Sequence, residues 1–354
     1  MDKYQQSSLS RVVLVFILLL LPVALVPAAE SLFESEVVVS SQSPGVRAHA
    51  LETALQEVLV RVAGQDAVLT TEPAREMLKN PAQLMQQYRY FTVPASEPPV
   101  LKLWVQFDGE AIRQSLQQQG VTYWGAERPD TLVWLAVEDH GKRYVVAADD
   151  GTDVYRQIER AARQRGVPVL FPLMDLQDQS QVRFSDIWGG FFDSVLDASS
   201  RYNPQAVLIG RLNRSPSGAW SSRWHLEVAG KPSSWTDSRQ QLDALAQQGI
   251  DDTADILASR FAVSQGSGNL SDVRISVIGV DSLSDYARLG DYLSGLTAVV
   301  GMQVEKVAGS EIQYALQLNG SLQDLMHTVT IGTVLEPLSD PLSTDAPGSF
   351  RLRQ

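Results

Sequence analysis

The chain has 354 residues, 29 Lys and Arg against 41 Asp and Glu, a formal charge of −12, and no cysteine. Without cysteine there is no disulfide, thiolate metal site, thiol nucleophile or lipidated cysteine. The acidity argues against nucleic acid and anionic membrane surfaces as main partners, because both reward Lys and Arg.

The first thirty residues read as an address. Lys3 and Arg11 precede an apolar run over 12–26 that only Pro22 interrupts, and Ala28 and Ala29 follow. A basic start, a short apolar core and a small-residue exit make the layout of a secretory signal peptide. The run falls short of the ~20 residues a spanning helix needs. We expect residues 1–28 to be a signal peptide and the mature chain to be periplasmic, with no membrane span. An uncleaved N-terminal anchor is the alternative.

A first block covers 31–125. Residues 36–39 read as a strand. Ser43, Pro44 and Gly45 then open a helix whose apolar face is Leu51, Leu55, Val58 and Val62, with Gly64 at its exit. Asn80 and Pro81 suggest a short helix through Met85, 88–93 looks extended, and Leu101, Leu103, Val105 and Phe107 alternate as a strand. A glutamine-rich helix over 110–119 completes an α+β order.

The second block covers 128–262. A strand at 132–137 turns at Asp139-His140-Gly141-Lys142 into Tyr144. A helix carries Val154, Ile158, Ala161 and Ala162 and ends at Gly166. A buried-looking strand spans 167–173, and one helical stripe runs from Ile187 to Leu196. Strands follow at 206–209 and 224–228. Asp251 and Asp252 sit where a last helix should begin, since acids suit a first turn. The β-α-β-α-β-β-α order predicts an α/β layer with partly parallel pairing.

Residues 263–271 read as a linker. The third block, 272–338, follows a β-α-β-β-α-β order, which is ferredoxin-like. Residues 339–354 are rich in Pro, Ser and Asp and read as a disordered tail. The fold class is therefore α/β and α+β, in three small modules.

The stretches Arg165-Gly166-Val167-Pro168, Pro172-Leu173-Met174-Asp175-Leu176, Asp186-Ile187-Trp188-Gly189 and Ala198-Ser199-Ser200-Arg201-Tyr202, leading into Val207-Leu208-Ile209-Gly210-Arg211, carry a resemblance. Together with 55–64 they resemble DUF2066, an uncharacterised family of bacterial envelope proteins, over residues 31–262. That resemblance implies a Gram-negative periplasmic setting and no activity.

The chain has no Gly-x-Ser-x-Gly elbow, no phosphate loop and no His-Glu-x-x-His pair. The four histidines, His49, His140, His225 and His327, lie far apart in sequence and suggest no metal site. No cofactor or catalytic residue is expected. One constellation merits attention: Asp175, Asp178 and Asp186 follow a strand end, where α/β layers place ligands, and Trp188, Arg201 and Tyr202 stand close in sequence. Carboxylates beside an aromatic platform suit glycan binding or glycoside cleavage. Loop solvation, helix capping and core packing explain the same residues. The sequence points to a non-enzymatic interaction or scaffold protein in envelope assembly, with envelope proteins as partners. The alternative is a peptidoglycan or glycan binder, or a weak glycoside hydrolase, that uses these six residues.

Overall fold

The computed structural model describes residues 32–93, 99–261, 270–296 and 298–319, and then 322, 325, 326, 329, 334–338 and 348–353. The signal segment 1–28 and residues 263–269 of the linker lie outside the described residues. The described residues all belong to one unit, Leu32–Gln354.

β1 (Glu34–Val38) leads into α1 (Pro44–Ala63). Pro44 occupies the first turn of α1. Gly64 closes it at φ 79, a left-handed conformation that glycine adopts without strain, and donates to the Val60 carbonyl at 2.8 Å. A 3-10 turn at Asp66–Thr70 and α2 (Glu72–Lys79) follow, two elements absent from the expected order. The helix expected through Met85 is only a 3-10 turn, Pro81–Gln83. Met85 instead begins β2 (Met85–Val93), which pairs with β3 (Val100–Phe107) ahead of α3 (Gly109–Gln118). The first sheet is antiparallel in the order β1-β3-β2. Leu55 and Leu59 of α1 pack on Leu103, Val105 and Phe107 of β3.

The middle sheet contains β4 (Thr131–Asp139) and β5 (Lys142–Val145), a hairpin, followed by α4 (Asp153–Arg165). Thr152 caps α4 by accepting from the Tyr155 N–H, and Gly166 at φ 64 ends it. Only β6 (Val169–Leu170) survives of the strand expected over 167–173, and Leu170 is exposed. The single stripe from Ile187 to Leu196 is three short helices with what precedes it: α5 (Leu176–Gln181), α6 (Phe184–Gly189) and α7 (Phe192–Ser199). Gly190, at φ 78, breaks the last two apart. β7 (Ala206–Arg214), β8 (Trp220–Val228) and β9 (Lys231–Arg239) complete the sheet, and α8 (Leu242–Phe261) covers it. Asp251 and Asp252 therefore lie mid-helix rather than in a first turn.

The strand order is β5-β4-β7-β8-β9, with β6 paired to β4. β4 runs parallel to β6 and β7, and the other pairs are antiparallel. β4 is buried on both faces, as a central strand of a parallel pair should be. On one face Val133, Leu135, Leu208, Trp224 and Leu226 pack under α4 and α8. On the other, Leu132, Trp134, Ala136 and Ile209 pack under α6 and α7. That second cover reaches β8 at His225, which Phe192 of α7 overlies, and stops there: Ser221 and Arg223 share a face with Thr236 outside it.

The third sheet contains β10 (Leu270–Ile278), α9 (Leu283–Gly295), β11 (Val299–Ala308), β12 (Glu311–Asn319), β13 (Leu335–Pro337) and β14 (Ser349–Leu352). Its order is β11-β12-β10-β14-β13. The mixed α/β and α+β class is the expected one. Two boundaries are corrected. Residues 270 and 271 belong to β10, not to the linker. Residues 349–352, within the expected disordered tail, form β14, which pairs in parallel with β10. Its alternation explains the order: Phe350 and Leu352 are buried while Arg351 is exposed. The second helix expected in this block lies largely outside the described residues. Among the described residues no helix is long and apolar enough to cross a membrane.

Candidate functional site

Four of the six sequence-predicted residues meet beyond β6. Asp175 caps α5, accepting from the Gln177 and Asp178 N–H groups at 3.1 and 3.0 Å. Arg201, in the 3-10 turn Ser200–Tyr202, grips both Asp175 oxygens at 2.8 and 2.9 Å and Asp178 Oδ1 at 2.8 Å. The fork geometry is that of a bidentate guanidinium–carboxylate pair. Asp178 is fully buried. Its Oδ2 accepts from the Tyr202 hydroxyl at 2.6 Å and from the Met174 N–H at 2.9 Å. The Tyr202 oxygen accepts in turn from the Leu173 N–H at 2.9 Å. Met174 itself stands at φ 51, a left-handed conformation that this network holds in place.

Asp186 and Trp188 sit apart from that cluster, on α6. Asp186 accepts from the Arg183 N–H at 2.8 Å and so satisfies the first turn of its own helix. Trp188 stacks on Phe184 with ring centres 5.1 Å apart, and its carbonyl accepts from Arg211 Nη1 at 2.6 Å.

The electrostatics of the cluster run against acid catalysis. Hydrogen bonds from Arg201, then from backbone N–H groups, hold the Asp175 carboxyl well below the usual carboxylate range. Glycoside cleavage needs one carboxyl kept protonated near neutrality, which requires a shift upward. Every oxygen of Asp175 and Asp178 already accepts from this chain's own donors. The arrangement can clamp the 171–175 loop to the end of α7; it presents no free acid.

The open face of β7, β8 and β9 holds a cleft that the sequence did not outline. It consists of two adjoining hollows of about 500 and 850 Å³, both lined by Arg211, Arg223 and Thr236. Arg211 on β7 stands directly across from Arg223 on β8. Arg211 binds the Trp188 carbonyl and, among the described residues, has no carboxylate partner. The Arg223 guanidinium has no hydrogen bond or ion pair among the described residues. Burial, and then the charge of Arg223, push the Arg211 pKa down. At the apolar end, the His225 ring stacks on Phe192 at 4.0 Å and 13°, and its Nδ1 bonds Ser234 Oγ at 2.9 Å. Burial lowers the His225 pKa, and Glu227 opposes the shift only partly.

One signal for this cleft was present: Arg223, His225 and Glu227 alternate with Trp224 and Leu226. The other wall, β9, reads Lys-Pro-Ser-Ser-Trp-Thr-Asp-Ser-Arg and has no apolar alternation to announce a strand. It is an edge strand, and edge strands are kept polar. Among the described residues no group of three His, Asp or Glu side chains could hold a metal ion. His327 lies outside the described residues.

Residues 28–125 match the family model described as "Domain of unknown function (DUF8605)". That finding overturns the resemblance to DUF2066, to which no match is found. The residues behind the resemblance have local structural duties: Gly166 ends α4, Arg165 binds Asp251 and Asp255, and 198–202 close α7 onto the Asp175 clamp. No curated protein matches the chain. Among solved structures it is similar to the LpoB C-terminal domain from Salmonella enterica, at 18% identity and a TM-score of 0.23, over 36% of this chain and 91% of that one. A likeness of that degree leaves function to be argued from the residues.

Proposed function

We propose that the protein is a non-enzymatic interaction factor of the bacterial envelope, exported by its first 28 residues, whose three modules are displayed for contacts with other envelope proteins. The observation that carries this reading is the open sheet face of β7, β8 and β9. It is a concave polar surface with uncompensated charge, on a sheet whose other face packs under α4 and α8. Concave surfaces with convergent polar groups are where folded proteins bind. The basic start and short apolar run of 1–28 support export, and the address points to the periplasm.

The glycan reading loses its main support, since its carboxylates are engaged by Arg201, Tyr202 and backbone N–H groups. The test is turnover and sedimentation with isolated peptidoglycan. The interaction reading expects no released fragments, and pelleting indifferent to Asp175→Asn and to Trp188→Ala. Reproducible fragment release that Asp178→Asn abolishes would establish an enzyme instead.

A further inference from the structure

We propose that the cleft over Arg211 and Arg223 binds a carboxylate of an acidic, apolar-flanked peptide segment in a partner protein. The proposal rests on the interaction reading above and adds the class of ligand.

The argument begins with the register. Arg211 and Arg223 are cross-strand neighbours on one face. Like charges in that relation repel, so the free sheet holds an arrangement that an anion would relieve. The carboxylates nearest the cleft do not relieve it. Glu138 is paired with Arg143 at 2.8 Å, and Asp237 is paired with Arg239. Glu227 stands 3.9 Å from His225. Two guanidinium groups on adjacent strands match the planar fork of a carboxylate. The side chains in register beside them add neutral donors: Asn213 and Ser221 on one flank, Thr236 on the other.

The smaller hollow, of about 500 Å³, selects among anions. Ile187, Ile209, Phe192 and the His225 ring line it, so it accepts an apolar side chain next to the bound carboxylate. A free phosphate leaves that hollow empty. An anionic polymer needs a track of positive charge rather than one pair. A peptide with an acidic residue beside an apolar one fills both hollows. The chain's charge of −12 disfavours acidic partners at long range, yet beyond about 8 Å that field is screened at physiological salt. A segment that reaches the two arginines therefore meets their local charge.

The experiment follows the arginine Nε–H resonances of the exported protein, purified from cells, as acetyl-phenylalanyl-glutamate is added. Its uncharged counterpart, acetyl-phenylalanyl-glutamine amide, and inorganic phosphate are titrated in parallel. Arg223 is exposed, so Arg223→Gln should fold; an unchanged thermal midpoint verifies this. The expected result is a saturable shift of the Arg211 and Arg223 signals by the acidic dipeptide. Binding should be at least tenfold weaker for the amide and for phosphate, and lost in Arg223→Gln. No saturable shift, a shift unaltered by Arg223→Gln, or phosphate binding as tightly as the dipeptide overturns the proposal. The same variant is then carried through crosslinking in cells. A partner set that persists in Arg223→Gln overturns the cleft as the contact while the interaction reading stands. A wild type without partners is the failure of the interaction reading itself.

Discussion

Asp178 is a fully buried carboxylate whose two oxygens accept from a guanidinium, a phenol and a backbone N–H. Removing it leaves the Tyr202 hydroxyl and the Met174 N–H without this acceptor and takes one of the two carboxylates from Arg201, which keeps Asp175. Asp178→Ala should therefore cost about 3 kcal/mol, the range for breaking a buried, hydrogen-bonded charge pair, measured as a lower midpoint in urea. Asp175 makes a different prediction, in pH. Its folded pKa lies below its unfolded value, so its contribution is fully present above the ordinary carboxylate value of about 4 and is lost as pH falls through the folded value. The gap in thermal midpoint between wild type and Asp175→Asn should shrink from pH 7 to pH 3. A gap constant across that range contradicts the clamp. His225 acts in a higher window. Its folded pKa is lowered, so stability declines as pH falls through about 6.5 and the unfolded chain takes up a proton first. The sequence grouped Asp175, Asp178, Arg201 and Tyr202 because the acids follow a strand end and the Arg-Tyr pair comes at the close of the helical stretch after it. It could not show that Arg201 turns toward both acids, because that depends on how α7 ends: Asn203 at φ 47 stops the turn and leaves Arg201 facing the loop.

At the scale of elements, the middle sheet is organised around the indole of Trp224. A Cβ at Gly210 on β7 would lie 2.5 Å from Trp224 Cζ3, and one at Gly249 on α8 would lie 2.5 Å from Cζ2. The two glycines let strand and helix close on either side of the ring. Gly249→Ala gains about 1 kcal/mol of helix propensity but forces an overpacked core, which costs about 1–3 kcal/mol or more. With ring carbons inside contact distance on a fully buried side chain, the second effect should win. Calorimetry should show a lower melting temperature for Gly249→Ala, whereas a rise would mean that the ring can move aside. The elements legible in the sequence are those with one apolar face and clear ends, such as α1, α4, β3 and β12. Those passed over have another logic. β9 is a polar edge. α2 is eight residues long, little more than two turns, and although Pro73, Ala74 and Met77 face inward it is too short for its period to stand out in the sequence. β14 is four residues and is defined by pairing with β10, from which seventy residues of chain separate it.

Across the whole molecule, the first and middle sheets are joined by arginines at helix ends. Arg128 donates to five carbonyls: that of Arg61 in the last turn of α1, those of Trp124 and Gly125 after α3, and those of Arg165 and Gly166 at the end of α4. Its guanidinium lies 4.1 Å from the centre of the Trp124 ring. α1 and α4 both end here, and helix C-termini present partial negative charge and unsatisfied carbonyls. Burial, then Arg61 and Arg165, pull the Arg128 pKa down to about 9, so it stays charged at neutral pH. Arg61 reaches the carbonyl of Gln164, and Arg165 reaches that of Gly64, so each helix end is also held by the other's arginine. Arg128→Met should cost about 4 kcal/mol through the carbonyls it strands. It should also split a single urea transition into two when indole fluorescence and far-ultraviolet dichroism are compared. Coincident transitions in the variant would show that other contacts suffice.

The central claim is that this protein works by binding other envelope proteins. Crosslinking in living cells, followed by affinity purification of the tagged protein and mass spectrometry of what remains attached, tests it most directly. The account predicts a small, reproducible set of envelope proteins, with crosslinks concentrated on β7, β8 and β9. Attached peptidoglycan fragments without any protein partner would contradict it.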